Sequence, residues 1–305
     1  MTEWLLADMG ASHTRLALAT ADGLRPETAQ RRANADFATP EALVADYLDG
    51  AQVAAVCAGV AGPVRAGAAQ LTNLDWCFAA AALERLTGAC RIHLMNDLQA
   101  QAMALDDLES AQLVPILSGR PDPDGARMVL GLGTGSNIAV AHRVDGRLFV
   151  PPAEAGHSGL PHLDEATNAV IAALGAEVAH KPYEALLSGP GLARLHRLRT
   201  GETRDASSIV AAADAGTARD TLALFARLLG AVAGNLALTH MATGGVYLIG
   251  GTARAIAPLL AGTAFAETFT ARGPYADIMR MMPVTLVTDD MAALRGCWRA
   301  LRQSM

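Results

Sequence analysis

"LLADMGASHTRLALAT", residues 5–20, places an aspartate at the end of an apolar run that otherwise has the composition of a buried strand. The run passes through Gly10 into a second, alternating apolar run, so the stretch predicts two strands joined by a short turn. An ionised carboxylate is costly to bury without a partner. Asp8 therefore marks the end of this strand as a candidate site.

The size and charge of the chain limit what it can be. Its 305 residues exceed the roughly 250–300 at which a single hydrophobic core stops growing, which favours two domains. A composition that is 51% hydrophobic and 18% charged predicts a folded protein. The net charge of −6 favours neither a nucleic-acid nor an anionic membrane partner.

The sequence also indicates a cytoplasmic protein. We find no apolar stretch of the roughly 18 residues that a membrane span needs. Glu3 and Asp8 stand where a signal peptide would be basic and then apolar. The four cysteines form no CxxC pair, and their apolar surroundings predict buried free thiols rather than a disulfide framework or a zinc site.

The order of predicted elements indicates an α/β fold. After the opening hairpin we expect a third strand near 27–32, a helix from Pro40, a buried strand at 53–60 and a helix near 79–88. Residues 126–150 repeat the opening theme of strand, glycine turn and strand. A long helix at 218–242, the strand in "GGVYLIGG" and a final helix in "TDDMAALRGCWRALR" complete the chain. The two similar beginnings suggest a duplicated architecture.

Three glycine-rich turns each follow or bound an apolar strand: "DMGASHT" (8–14), "GLGTGSN" (131–137) and "GGVYLIGGTA" (244–253). Glycines at a strand end let backbone amides approach an anion such as phosphate. A single such turn is usually an ordinary tight turn, but three together favour phosphate binding. None matches the Walker or dinucleotide-binding patterns.

Polar side chains at three further places have two readings each. In "LMND", Asp97 either caps the next helix or is a general base at the carboxyl edge of the sheet. Glu154 and His157 in "PAEAGHSG", and Glu184 in "PYEALLSGPG", are either solvated loop residues or hydrogen-bonding partners for a ligand with several hydroxyls. Metal binding by His157 and His162 is disfavoured, because no cysteine or carboxylate cluster accompanies them.

Together these segments resemble the bacterial ATP-dependent glucokinases of the hexokinase and actin superfamily. The resemblance covers most of the chain and rests on "ADMGASHTRLAL", "LTNLDW", "LMNDLQA", "GLGTGSNIAVAH", "EAGH", "EALLSGPGL", "GNLAL" and "GGVYLIGG", in the family's order. Related sugar kinases with a cysteine-rich zinc segment fit less well, because no cysteine lies between Cys90 and Cys297. The zinc-free glucokinase branch is the better match.

The resemblance implies an actin-like ATPase (ribonuclease H-like) fold, with mixed sheets flanked by helices and an interdomain cleft. It implies a small N-terminal domain of residues 1–108 and 289–305, closed by the final helix, and a large domain of residues 109–288. It also implies a homodimer, and the transfer of the γ-phosphoryl group of ATP to the 6-hydroxyl of glucose.

The same resemblance assigns the site residues. Asp97 is the implied general base, and the sugar-binding residues are Asn73, Asn96, Asp97, Glu154, His157 and Glu184. ATP-binding positions are Asp8, Gly10, Ala11, Ser12, Gly133, Thr134, Gly135, Gly244, Gly245, Gly250 and Gly251. Asp8 is expected to hold Mg²⁺ through water, since Mg²⁺ is commonly bound by one or two carboxylates together with phosphates.

Two departures from the family pattern leave alternatives open. Ala11 stands where the family usually has glycine, and its Cβ would be unfavourable if that position required a positive φ. Asn137 likewise replaces a usual glycine. A kinase for another hexose, such as mannose, fructose or an N-acetylated hexosamine, and a sugar-binding regulatory protein with impaired phosphoryl transfer are the alternatives.

Overall fold

The structure, a computed structural model, describes residues 3–71, 74–214, 216–262 and 264–304. The chain divides into two compact units. Unit 1 contains residues 1–108, 144–152 and 289–305, and unit 2 contains residues 109–143 and 153–288. Segment 144–152, which the resemblance assigns to the large domain, thus lies with the first unit.

Unit 1 is a mixed sheet with a small separate sheet, three α-helices from its N-terminal segment and the final helix of the chain. Its strands are β1 (Trp4–Met9), β2 (His13–Thr20), β3 (Gly23–Leu24), β4 (Gln30–Ala33), β5 (Ala55–Val60), β6 (Val64–Arg65), β7 (Ala68–Gln70), β8 (Cys77–Ala79) and β9 (Arg91–Asn96). Its helices are α1 (Pro40–Leu48), α2 (Ala80–Thr87) and α3 (Asp97–Met103), and Pro26–Thr28, Asn34–Asp36 and Ala104–Asp106 form 3₁₀ turns.

Parallel pairing decides the geometry of this sheet. The strand order is β3-β2-β1-β5-β9, with β4 also paired to β2. β1 and β5 are buried along their whole length, as is typical of parallel strands covered on both faces. Because β1, β5 and β9 run parallel, their carboxyl ends lie at the same edge of the sheet. β2 runs antiparallel to β1, so the turn between them lies at this edge too.

Unit 2 is built on a second mixed sheet. Its strands are β10 (Leu113–Leu117), β11 (Arg127–Leu132), β12 (Ser136–Val144), β14 (Gly245–Ile249) and β15 (Val284–Val287), while the short strand β13 (Arg147–Phe149) belongs to unit 1. Its helices are α4 (Glu165–Leu174), α5 (Gly189–Thr200), α6 (Ala206–Ala211), α7 (Gly216–Thr239), α8 (Gly251–Leu260), α9 (Ala264–Thr270) and α10 (Ala276–Met281). Ser110–Gln112, Ala155–His157, Tyr183–Ala185 and Gly273–Tyr275 are 3₁₀ turns.

The sheet of unit 2 repeats the arrangement of unit 1. β11 pairs antiparallel with β12 and parallel with β14, which in turn pairs parallel with β15. Its core is formed by apolar side chains from these strands and from α5, α7, α8 and α9. This correspondence agrees with the duplicated architecture expected from the sequence.

Helix α7 contradicts the expectation that no apolar stretch is long enough to span a membrane. It contains an 18-residue window that is apolar enough, by length and composition alone, to span a bilayer, so the statement that no such stretch exists was wrong. Most of this window is buried, and its buried side chains, Phe225 and Leu228 among them, belong to the core of unit 2. The apolar composition of α7 therefore serves the interior of the unit.

The cysteine expectation holds for half of the residues. Cys57 and Cys297 are buried and unbridged, as expected, whereas Cys77 and Cys90 are exposed free thiols. The apolar letters around Cys77 and Cys90 did not predict exposure because both residues lie at element ends, at the start of β8 and just before β9. Burial also raises the pKa of the Cys57 thiol.

The final helix, α11 (Ala292–Gln303), packs within unit 1. It contacts α3 closely at Gly296, where a Cβ would overlap the carbonyl of Ala100. The Trp298 indole nitrogen donates to the Thr20 carbonyl at 2.9 Å, and the Arg299 guanidinium pairs with the Asp107 carboxylate. These contacts tie the end of the chain to the opening sheet.

Replacing Gly296 by Ala tests this close approach. Because the new methyl group meets backbone rather than a movable side chain, we expect the free energy of unfolding to fall by about 1–3 kcal/mol. Gly23→Ala is the matched control, since no heavy atom lies within 4 Å of its Cβ position and we expect a change within about 0.5 kcal/mol. Urea denaturation measures both variants. Equal stabilities would contradict the packing described for α11.

Candidate functional site

The carboxyl edge of the unit 1 sheet gathers those predicted polar residues of the unit that the structure describes. Asp8 lies opposite Gly59 in the register of β1 and β5, and Asn96 lies opposite Val60 in the register of β5 and β9. The turn of residues 10–12 follows β1, and α3 begins directly after Asn96. Strand ends of this kind are where ligands bind in open α/β sheets.

Asp8 is a buried acid with a partial charge partner. Its residue is only 9% exposed, and Nη1 of Arg15 lies 3.3 Å from its Oδ2. Burial raises the pKa of Asp8, and the Arg15 charge and hydrogen bond oppose that rise. Since burial outweighs Arg15, a cation near Asp8 would be favoured electrostatically.

The turn of residues 10–12 is held from inside by Asn34, a buried residue that sequence reasoning did not identify. Its Nδ2 donates to the carbonyls of Gly10 at 2.8 Å and Ala11 at 3.3 Å, and its Oδ1 accepts from the Thr14 hydroxyl at 2.9 Å. Its backbone N–H donates to the carbonyl of Ser12 at 3.0 Å. One residue, through its side chain and its backbone N–H, therefore holds the carbonyls of the whole turn.

Ala11 has no positive φ; within the described residues, the left-handed non-glycine positions are Asp49, Ala66, Asp145, Lys181 and Met241. The conformational objection to alanine at this position therefore does not apply. Gly10 also lies outside the left-handed region.

Asn96 and Asp97 form the junction between β9 and α3. The N-cap of α3 is Asn96, whose Oδ1 accepts from the Leu98 N–H at 3.0 Å. Asp97 is the first helical residue, and its Oδ1 accepts from the same N–H at 2.9 Å. Asn96 thus occupies the N-cap position, and both side chains accept from the Leu98 N–H.

Gln99 fixes this junction to segment 144–152. Its Oε1 accepts from the Asn96 N–H at 3.0 Å, and its Nε2 donates to the Val150 carbonyl at 2.7 Å. The spacing of Asn96 and Gln99 matches a capping box, a signal that could have identified this residue from the sequence.

In unit 2, the glycine turn of residues 133–135 lies against the beginnings of two helices. The Gly133 carbonyl accepts from the N–H of Gly189, the first residue of α5, at 2.8 Å, and from the Thr252 hydroxyl in α8 at 3.2 Å. Helix N-termini present free N–H groups and a partial positive charge. This arrangement favours a phosphate ligand.

The predicted glycines after Thr243 divide between two ends of β14. Gly250 and Gly251 lie at its carboxyl end, near the end of β11. Gly250 has a φ of +107°, and a Cβ there would overlap the Leu132 carbonyl. Gly244 and Gly245 lie at the opposite end of the strand, against Ala126 and Pro283. The structure therefore groups only Gly250 and Gly251 with the turn of residues 133–135.

Glu184 approaches the beginning of β12. Its Oε2 accepts from the Ser136 N–H at 2.8 Å. A Cβ at Gly135 would lie 2.7 Å from the same oxygen, so this position needs glycine for the carboxylate to fit. The carboxylate thus lies beside the turn of residues 133–135.

Glu154 and His157 lie on the neighbouring segment. The Glu154 Oε2 accepts from Nδ2 of Asn137 at 3.0 Å. His157 ends the 3₁₀ turn and stacks against His180, with 6.5 Å between ring centroids. Both residues are exposed and available to a ligand.

Asn73 lies outside the described residues, and Thr134 is exposed within its turn. Among the described residues, no three His, Cys, Asp or Glu side chains form a group that could hold a metal ion. A cation at Asp8 would accordingly need ligands from outside the protein as well, as Mg²⁺ commonly has.

Comparison with known proteins identifies the relatives of this chain. Residues 5–304 match the family model described as Glucokinase. The glucokinase of Saccharophagus degradans is 32% identical over 311 residues, covering 97% of each chain. The glucokinase of Cronobacter sakazakii is 32% identical over 320 residues, covering 100% of this chain and 99% of its own.

Solved structures confirm the predicted fold. A glucokinase from an Antarctic psychrotroph has a TM-score of 0.89 at 30% identity, with 99% of both chains covered. A ROK family glucokinase from Streptomyces griseus, solved with glucose and AMPPNP, has a TM-score of 0.66 at 18% identity over 99% of both chains and supports the fold alone. The actin-like ATPase fold with mixed sheets flanked by helices was thus predicted correctly.

Asp8→Asn tests the electrostatics of the first strand end. The variant keeps the shape of the side chain and removes a buried charge, so we expect the free energy of unfolding at pH 7 to rise by about 1 kcal/mol. Because the pKa of Asp8 is raised in the folded state, its ionised carboxylate lowers the free energy of unfolding of the unsubstituted protein at pH values above that pKa. This destabilisation disappears as the pH falls towards the ordinary Asp pKa of about 3.9.

Urea denaturation near neutrality and at mildly acidic pH measures this difference. The advantage of the Asn variant should shrink on acidification. A variant that is less stable than the unsubstituted protein at pH 7 would show instead that Arg15 compensates the buried charge fully.

Proposed function

Because this chain belongs to the glucokinase family, we propose that it transfers the γ-phosphoryl group of ATP to the 6-hydroxyl of glucose, giving glucose 6-phosphate and ADP. The protein is an ATP-dependent hexose kinase. The observation that carries the assignment of its site is the junction of β9 and α3. There, Asn96 caps the helix and leaves Asp97 at a strand-end edge shared with Asp8.

Asp97 is the general base of this proposal. Phosphoryl transfer needs positioning and neutralisation of charge more than covalent chemistry. A carboxylate that accepts the proton of the 6-hydroxyl makes that oxygen a better nucleophile as the bond to the γ-phosphorus forms and the bond to the ADP oxygen breaks. The N-terminus of α3 and the Asn96–Gln99 box hold the backbone of Asp97 in place.

The proposal assigns the hydroxyls of the hexose to six polar side chains: Asn73, Asn96, Asp97, Glu154, His157 and Glu184. Carboxylates accept hydrogen bonds from hydroxyls, and an amide both donates and accepts. A hexose presents several hydroxyls that match such a set.

The nucleotide is assigned to the turns 10–12 and 133–135 and to Gly250–Gly251. Two helix N-termini beside Gly133 support this assignment, because they favour the negative charge of phosphates. Gly244 and Gly245, at the far end of β14, are left with a structural role.

Mg²⁺ fits the first turn, because Asp8 is a buried carboxylate whose raised pKa reflects a charge that Arg15 does not fully compensate. Asp8 would hold the ion through water. When bound, the ion would neutralise charge on the phosphates. The absence of a positive φ at Ala11 supports an intact phosphate turn and so favours a kinase over a regulatory protein without turnover.

The remaining expectations belong to the same proposal. A cytoplasmic location fits a consumer of ATP and glucose, and the negative net charge fits the expected lack of nucleic-acid or membrane partners. A homodimer is proposed from the family resemblance.

Asp97→Asn tests the general base. The variant keeps the shape of the side chain and a hydrogen-bond acceptor but loses most of the basicity, so we expect kcat to fall by about 10²–10⁴-fold. We expect the Kd for glucose to change by less than about tenfold, since the amide can still contact the hydroxyl. A coupled assay for ADP and calorimetric titration with glucose provide the two readouts.

Asp22→Asn, in the exposed turn between β2 and β3, is the matched control and should retain full turnover. Turnover by the Asp97 variant close to that of the control would exclude Asp97 as the base. Glucose binding without any glucose-dependent ADP release by the unsubstituted protein would favour the regulatory alternative.

The choice of sugar is tested by comparing kcat/KM for glucose, mannose, fructose and N-acetylglucosamine. We expect glucose to exceed each of the others by more than about tenfold, a difference of about 1.4 kcal/mol in transition-state stabilisation. A preference of this size for another sugar would leave the assignment as a hexose kinase intact but would show that glucose is not its preferred substrate.

A further inference from the structure

Asn137 stands at the junction of the phosphate turn and β12, where the family pattern predicts a glycine. It follows Ser136, whose backbone N–H binds the Glu184 carboxylate at 2.8 Å. The Asn137 side chain in turn contacts the Glu154 carboxylate. Two consecutive residues therefore contact the two carboxylates assigned to the sugar.

All hydrogen-bonding positions of the Asn137 amide are used. Its Nδ2 donates to the Ala153 carbonyl at 2.7 Å and to Glu154 Oε2 at 3.0 Å. Its Oδ1 accepts from the Gly156 N–H at 3.4 Å and from the Ile138 N–H at 2.8 Å. Each nitrogen contact is an acceptor and each oxygen contact is a donor, so only one orientation of the amide satisfies them.

These contacts restrain residues 153–156, including the side chain of Glu154. Glu154 is exposed, and a long exposed carboxylate has several rotamers that must be lost when a ligand binds. Asn137 binds the backbone before Glu154 at Ala153, the backbone after it at Gly156, and the Glu154 carboxylate itself. The segment also lies close to the start of β12 at Gly156, where a Cβ would overlap the Ser136 carbonyl.

We propose that Asn137 is a positioning residue for hexose binding, which orients the Glu154 carboxylate before the sugar arrives. The inference rests on the proposed function, since it assigns Glu154 to the sugar. Preorganisation of this kind increases affinity because less conformational freedom is lost on binding. Asn137 is thus part of the sugar half of the site rather than a defect in the phosphate turn.

Two substitutions at this position separate positioning from simple packing. Asn137→Asp keeps the size of the side chain but replaces the donor with a second carboxylate beside Glu154, so it repels that group. Asn137→Gly removes the side chain and lets water take its place. We expect KM for glucose to rise by about 10–100-fold in the Asp variant and by about 3–10-fold in the Gly variant.

Three further readouts accompany these values. KM for ATP should stay within about twofold of the unsubstituted protein, because the turn of residues 133–135 is unchanged. The calorimetric Kd for glucose, without nucleotide, should follow the same order as KM. Thermal unfolding of each variant shows whether it is folded at the assay temperature.

Asn168→Asp is the matched control. Asn168 lies in α4 of the same unit and accepts from the Leu163 N–H, so this variant adds the same charge away from Glu154. It should leave KM for glucose unchanged.

A larger defect in the Gly variant than in the Asp variant would indicate packing and overturn the proposal. A rise in KM for ATP with KM for glucose unchanged would place Asn137 in the phosphate turn and overturn it as well. The proposed function fails separately, if the unsubstituted protein shows no glucose-dependent ADP release. In that case the calorimetric order of the variants still decides whether Asn137 positions a sugar-binding carboxylate.

Discussion

Parallel pairing of β1, β5 and β9 is the constraint on which the candidate site of unit 1 depends. It brings the carboxyl ends of the three strands to one edge of the sheet, where Asp8 and Asn96–Asp97, far apart in the sequence, are placed. Burial of the strands in turn leaves Asp8 in a poorly solvated position with a raised pKa. A buried acid lowers the stability of the fold, and such groups are commonly found at functional sites, here one proposed to bind a cation and phosphates.

In unit 2, the candidate site likewise lies at the ends of parallel strands, and we assign it to phosphates and to the sugar. The turn after β11 contacts the first turns of α5 and α8, which suits phosphates, and the next two residues of the chain contact Glu184 and Glu154. The nucleotide is therefore assigned to the turn of residues 133–135, and the two residues after it contact the carboxylates assigned to the sugar. Side-chain amides recur throughout as the groups that fix backbone, with Asn34, Gln99 and Asn137 as the examples.

The sequence predicted the fold class, the family and the candidate residues because these depend on local patterns: apolar strands, glycine turns and polar strand ends. It did not predict Asn34, whose contacts join residues 24 positions apart. It could not separate Gly244 and Gly245 from Gly250 and Gly251, because the glycines bound a single strand at opposite ends. Asn137 was visible only as a departure, since its partners at 153–156 come from another segment.

The central claim is that Asp97 receives the proton of the hexose 6-hydroxyl. A crystal structure of this protein with glucose bound tests it most directly. The account predicts a 6-hydroxyl oxygen at about 2.6–3.2 Å from a carboxylate oxygen of Asp97, the distance that proton transfer requires. A bound glucose whose 6-hydroxyl contacts another acidic residue, with Asp97 directed at a different hydroxyl, would contradict it.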